Sequence, residues 1–289
     1  MSGDGGFELR SARSADGTEI AYRRYGDGPG VVLVHGSLQA AQDLSRLAVS
    51  LADAGFAAEV MQRRGRGRSG PFGPDFDAEA ARQDVAAVVR ESGSRRVFAL
   101  SAGATIALYA ALTEPAIQKL AVYEPPLSLF RPVIGSWFAR YEREVDDGDM
   151  AAAMVTLLKS DIGIETPIRF LPRLVLEKLF TAGIAEDAER TDEDRVPLGE
   201  LIPTFRYDAK VIEEISTRAA DLAGVQADVL LLSGTRSPSY LRDITDRLAQ
   251  VLPRVRRVDL RGVGHLAADD GGRPAVVAAE LGRFFREDA

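Results

Sequence analysis

Ser101 ends one apolar run, Val97-Phe98-Ala99-Leu100, and heads a second that opens Ala102-Gly103-Ala104. A serine between small residues, where a short strand gives way at once to a helix, is the sequence form of a sharp turn that lifts a hydroxyl out of a sheet. A serine hydroxyl is a weak nucleophile and needs a base within hydrogen-bond reach. The chain has only two histidines to supply one. His35 follows the apolar run 31–34, and His265 lies in Gly262-Val263-Gly264-His265 near the C-terminal end. There is no cysteine, so thiol nucleophiles, disulfides and thiolate metal sites are excluded. The remaining reading of Ser101 is a cap on the helix that follows.

These residues must be held by the elements around them. Short apolar runs bounded by turn residues predict strands at 7–11, 19–23, 31–34, 56–61, 97–100, 120–123, 229–232 and 255–260. The first two pair as a hairpin around Asp16-Gly17. Between the later strands, the patterning predicts helices over 40–54, 77–92, 102–113, 238–251 and 274–286. Strands alternating with helices imply a mostly parallel sheet flanked by helices, an α/β fold. The rhythm breaks over 126–226, which has helical character and no convincing strand. The expected organisation is a core from 1–125, a helical cap or lid over 126–226, and the rest of the core over 227–289. The cap carries Phe130, Trp137, Phe138, Tyr141, Phe170, Phe180, Phe205 and Tyr207. These rings either line a pocket or form the core of the insertion itself. Residues 1–5 are expected to be disordered.

At 289 residues, with 46% hydrophobic and 27% charged residues, the chain has ample material for one large globular domain. The net charge of -7 argues against nucleic acid as a partner. No stretch approaches 18 apolar residues and no leader pattern opens the chain, so a cytoplasmic protein with no membrane partner is expected. Gly65-Arg66-Gly67-Arg68-Ser69-Gly70 matches the dinucleotide pattern G-x-G-x-x-G. Pro71 and Pro74 follow it in place of a helix, so no helix N-terminus is ready for a pyrophosphate. No His, Asp or Glu cluster has metal-ligand spacing, and no cofactor is expected.

The order of these parts resembles the α/β-hydrolase family over nearly all of the chain outside the insertion. Four places carry the resemblance: the His35-Gly36 turn after an apolar strand, the loop Arg64-Gly65-Arg66-Gly67-Arg68-Ser69, the Ala99-x-Ser101-x-Gly103 elbow, and the Gly262-to-His265 loop. Two departures stand out. Gln62 occupies the place of the family's aspartate in Asp-x-Arg-Gly-x-Gly-x-Ser, and Ala99 that of the first elbow glycine.

The resemblance implies Ser101 as nucleophile and His265 as general base and acid. It makes His35 a shaping residue for the oxyanion loop, with the backbone N–H groups of Ser37 and Ala102 as oxyanion donors. The usual acid position reads Gly234-Thr235-Arg236-Ser237-Pro238, with Ser237 where a carboxylate belongs. Some family members take the acid from the end of the earlier strand, which here reads Val122-Tyr123-Glu124-Pro125-Pro126. Glu124 is therefore the expected acid, with Asp243, Asp269 and Asp270 as fallbacks.

The function implied is a serine hydrolase that cleaves an ester, thioester or lactone of an apolar small molecule through an acyl-enzyme. Serine at the elbow argues against haloalkane dehalogenase and epoxide hydrolase chemistry, which in this family use an aspartate there. Acyl transfer or cyclisation in biosynthesis, carbon–carbon bond hydrolysis, cofactor-free haloperoxidase-like activity and a ligand-binding homologue without turnover remain open, because fold does not fix function. The expected partner is the small-molecule substrate, and self-association is left open.

Overall fold

A continuous eight-stranded sheet underlies the molecule, with strand order β1-β2-β4-β3-β5-β6-β7-β8. The computed structural model describes residues 6–129, 132–160, 162, 166–190 and 194–287. Residues 1–5 and Phe130 lie outside them. The strands are β1 Glu8–Arg13, β2 Glu19–Tyr25, β3 Gly30–Val34, β4 Ala57–Met61, β5 Arg96–Leu100, β6 Lys119–Tyr123, β7 Asp228–Gly234 and β8 Val255–Leu260. β1 and β2 form the antiparallel hairpin, β2 joins β4 antiparallel, and every later pairing is parallel.

The central strands are apolar throughout because both faces of the sheet are covered. Their side chains still alternate. Val32, Val34, Val97, Ala99, Leu120, Val122, Val229 and Leu231 enter one core. Val31, Leu33, Phe98, Leu100, Ala121, Tyr123, Leu230 and Leu232 enter the other. Helices α1 Ser45–Asp53 and α10 Pro274–Arg286 close the second face. Helices α2 Ala78–Ser92, α3 Ala102–Ala111 and, further along the chain, α9 Ser239–Val251 close the first. Their ends follow from local chemistry. Asp77 caps α2 by accepting from Ala80 N–H, and Gly93 ends it at φ 67°, where a glycine carries no Cβ penalty. Pro274 opens α10 where its missing N–H would have had no partner.

Between β6 and β7 the described residues form helices and short 3-10 turns without a strand. The helices are α4 Phe138–Asp146, α5 Met150–Lys159, α6 Arg173–Ala188, α7 Leu198–Leu201 and α8 Phe205–Ser216. Helix α8 belongs to two layers. Phe205, Ala209 and Ile212 pack with α4 and α5, whereas Val211 and Ile215 enter the core beside α3. Most aromatics of the insertion pack within it. Trp137, Phe138, Tyr141 and Phe205 form one cluster, with centroid separations of 5.6–6.3 Å. Tyr207 stacks on Phe72 at 3.9 Å, Phe180 packs against α5, and Phe170 is 85% exposed.

Candidate active site

The C-terminal ends of β3, β5, β6 and β7, together with the loop after β8, converge on one point, the edge where open parallel sheets bind ligands. β5 runs into α3 with no intervening loop, and Ser101 makes the turn at φ 52°, ψ −125°. That is the left-handed half of backbone space, which a non-glycine residue enters at a cost on the order of 1–3 kcal/mol. The turn is pinned by Ser101 N–H donating to Tyr123 O at 2.9 Å. Gly103 could not be larger, since a Cβ there would lie 2.4 Å from His35 O and 2.7 Å from Val34 O. Ala99 is fully buried in the first core, so the turn tolerates a methyl at that departure from the family pattern.

Glu124 leaves β6 at φ 47°, a second strained position. Its carboxylate is fully buried and accepts three hydrogen bonds: His265 Nδ1 at 2.7 Å on Oε2, and Ser233 Oγ at 2.8 Å and Gly234 N–H at 2.7 Å on Oε1. Burial pushes this carboxyl up, but the hydrogen bonds from His265 and the Gly234 amide help to outweigh it and hold the group below its ordinary value. A carboxylate can only accept, so Nδ1 of His265 carries the proton. Nε2 is then free to accept from Ser101 Oγ, which lies 3.1 Å away. The loop bearing His265 is held from beneath by the buried Tyr123, whose hydroxyl donates to Gly264 O at 2.8 Å.

The three side chains expected to act together thus form one relay, Glu124–His265–Ser101. The other nominated acids stand elsewhere. Asp269 accepts from Gln39 and Gly271, Asp270 accepts from Arg46 N–H, and Asp243 lies on the cavity wall. Ser237 is buried beside Tyr123 and Glu124, and its hydroxyl has no hydrogen bond of good geometry.

His35 sits in the loop that follows β3 rather than in the relay. It is fully buried, with Nδ1 2.9 Å from Gly36 O and Nε2 facing Arg63 N–H at 3.4 Å. Burial and the charges of Arg66 and Arg63 hold its imidazole well below the usual value, so it is neutral. The N–H of Ser37 and that of Ala102, the first residue of α3, are taken up by no other described residue. Below the loop lies a buried ion cluster that the sequence did not disclose. Arg63 and Arg66 both reach Asp208 of α8, and Arg63 also donates to Gly36 O at 3.3 Å.

The Arg-Gly loop is a structural plug. Gln62 Oε1 accepts Arg68 N–H at 2.6 Å, which supplies the acceptor that an aspartate would offer, and Arg64 pairs with Asp84 and Asp16. Residues 71–77 are not helical, so the G-x-G-x-x-G match opens no helix. Among the described residues no group of three His, Asp or Glu side chains is arranged to hold a metal ion, and no helix is long and apolar enough to cross a membrane.

Ser101 and His265 open onto a cavity of about 320 Å³. Its walls are mainly apolar: Leu100 from β5, Pro126 and Leu127 from the segment after β6, Leu241 and Ile244 from α9, Met154, Leu157 and Leu158 from α5, and Phe205 and Ile212 from α8. Of the insertion's aromatics, only Phe205 lines this cavity among the described residues.

A serine in a strained turn after a central parallel strand, with a histidine relay from the loop after the last strand, defines the class to which this fold and site belong. The chain is a member of the alpha/beta hydrolase family, whose model matches residues 31–280. Its fold is similar to that of an alpha/beta hydrolase from Sphaerobacter thermophilus, with 28% identity, TM-score 0.77, and 96% of this chain and 100% of that one covered. An epoxide hydrolase from Vigna radiata shares the fold at 16% identity and TM-score 0.67, with 99% of each chain covered. A non-heme haloperoxidase from Rhodococcus erythropolis is 34% identical over 84 residues, a match that spans 29% of this chain and 31% of that protein.

Proposed function

We propose that the protein hydrolyses an ester, thioester or lactone with an apolar, medium-sized acyl group, using Ser101 as nucleophile. The observation that carries this reading is the unbroken Glu124–His265–Ser101 relay, at 2.7 and 3.1 Å, ending on the wall of an apolar cavity. Oγ of Ser101 adds to the carbonyl carbon while His265 Nε2 takes its proton. The imidazolium, its Nδ1–H held by Glu124, gives that proton to the leaving oxygen or sulfur as its bond to the acyl carbon breaks. Water attacks the acyl-serine by the same route, His265 returns a proton to Oγ, and the acid departs. The Ser37 and Ala102 N–H groups receive the oxyanion at both stages, each donor contributing about 10²–10³ in rate.

The cavity size supports the substrate class. A volume of about 320 Å³ lies at the small end of the ~300–1,000 Å³ range for ligand pockets. Helices α5 and α8 supply much of the apolar wall, so the 126–226 insertion acts as the substrate lid. The partial match to the haloperoxidase favours one second reading. Hydrogen peroxide, in place of water, would attack an acetyl-serine to give peracetic acid, which then oxidises halide.

Labelling with a fluorophosphonate and a chain-length series of p-nitrophenyl esters test the first reading. The wild type should label once, and Ser101→Ala should abolish both labelling and turnover. Labelling retained in Ser101→Ala, or an adduct on Ser37 or Ser237, overturns it. Peroxide- and acetate-dependent bromination that outpaces ester hydrolysis would select the second.

A further inference from the structure

The loop that offers Ser37 N–H and the loop that carries His265 are joined by a polar bridge. Gly36 N–H donates to Gln39 Oε1 at 2.7 Å, and Gln39 Nε2 donates to Asp269 Oδ2 at 2.8 Å. Asp269 Oδ1 in turn accepts Gly271 N–H at 2.8 Å. Gln39 is 6% exposed, so its amide has little access to water as an alternative partner. The segment it holds is strained, with Leu38 between Ser37 and Gln39 at φ 56°, a backbone region a leucine rarely enters. Gly36 has little room to adjust, because a Cβ there would lie 3.0 Å from both Gln39 Oε1 and Ser101 Cβ. Such a conformation persists only where its surroundings over-determine it.

We propose that Gln39 and Asp269 are positioning residues that lock the oxyanion loop to the histidine loop, so that Ser37 N–H and His265 keep a fixed relation to Ser101. Gln39 engages Gly36 N–H, which turns that amide away from the substrate and leaves Ser37 N–H as the loop's donor. A second strut, Asp270 N–H to Asp43 O at 2.8 Å with Asp43 Oδ2 accepting Ala40 N–H, joins the same loops. Loss of the Gln39 bridge therefore loosens the loop without detaching it. This inference rests on the acyl-enzyme reading of the site.

The bridge has a polarity that can be inverted. In the pair Gln39→Glu with Asp269→Asn, the new carboxylate accepts from Gly36 N–H and from the new amide, whose oxygen still accepts Gly271 N–H. Every donor and acceptor is satisfied again and the net charge is unchanged. Each single change breaks the chain: Gln39→Glu sets two carboxylates face to face, and Asp269→Asn leaves one oxygen for two donors. A double-mutant cycle on kcat and KM for a p-nitrophenyl ester, with thermal unfolding of each variant, reads the coupling. Gln39→Ala and both singles should lower kcat about 10–100-fold with KM within about threefold, and the pair should regain at least about tenfold over the worse single. Singles whose losses multiply in the pair, or a Gln39→Ala enzyme with unaltered kcat, would overturn the proposal. Failure of the underlying reading shows separately, as a wild-type protein that a fluorophosphonate does not label.

Discussion

Glu124→Gln changes one atom and should disable the site by reversing a proton. The wild-type carboxylate accepts from His265 on one oxygen and from Ser233 and Gly234 on the other. An amide has one acceptor and must choose. With its oxygen toward Gly234, its NH₂ meets His265 Nδ1, which must then accept, so the ring proton moves to Nε2. That tautomer can only donate toward Ser101 Oγ and cannot take its proton. With the amide reversed, the tautomer survives, but NH₂ faces the Gly234 N–H, a fixed donor that cannot turn. Two opposed buried donors cost about 1–3 kcal/mol, so the first arrangement, the inactive one, prevails. Turnover should fall by roughly 10²–10⁴, or about 3–5 kcal/mol of transition-state stabilisation. The upper end, about 10⁴, is the loss that the equivalent carboxylate-to-amide change causes in the serine-protease triad. Steady-state hydrolysis of a short-chain p-nitrophenyl ester and the second-order rate of fluorophosphonate labelling should fall together, while thermal unfolding shifts little. A folded Glu124→Gln protein with near wild-type turnover would refute the role of the carboxylate and leave a Ser101–His265 dyad.

Three further outcomes are expected. Ser237→Ala should change turnover less than about threefold, because no charge is lost, whereas Ser237→Asp in the Glu124→Gln background should recover part of it; ester kinetics on both variants check this. Trp137→Ala should lower stability by about 2–3 kcal/mol and leave acyl chain-length preference unchanged, because this half-buried ring packs on Phe138, Tyr141 and Phe205 outside the cavity wall; denaturant unfolding beside the ester series separates the two effects. Burial, aided by the nearby charges of Asp269 and Asp270, pushes Asp43 up from 3.8 to about 6. The folded state therefore binds the proton more tightly than the unfolded chain, and the stabilising contribution is complete below about pH 4 and is lost as pH rises through about 6. Asp43→Asn keeps an oxygen for Ala40 N–H and removes the charge, so it should add about 1–2 kcal/mol at pH 8 and nothing below pH 4. Thermal unfolding of both proteins across that range measures it, and a pH-independent difference would contradict the assignment.

What could be read from the sequence was whatever the chain states locally. Buried parallel strands must be apolar on both faces, so each is a short unbroken run, and a turn directly into a helix admits only small neighbours around Ser101. The acid was less direct. Ser237 stands where the family usually keeps an aspartate, so Glu124 could be nominated only through the resemblance, from family members that take the acid from the end of the earlier strand. Only the fold brings Glu124 within 2.7 Å of His265, 141 positions along the chain. The contacts missed share one property: the partners are distant and their side chains are common ones. Gln39 and Asp269 are 230 positions apart, and Arg63 and Asp208 are 145. Nothing in the periodicity of either segment marks such a pair. The insertion's aromatics failed to announce their orientation for a related reason. Trp137 and Phe205 share one cluster, yet of the two only Phe205 also reaches the cavity, because α8 turns one face to α4 and α5 and another to the core beside α3. A helix shared by two layers carries apolar residues on two faces, and sequence patterning registers that they are buried without registering which layer buries them.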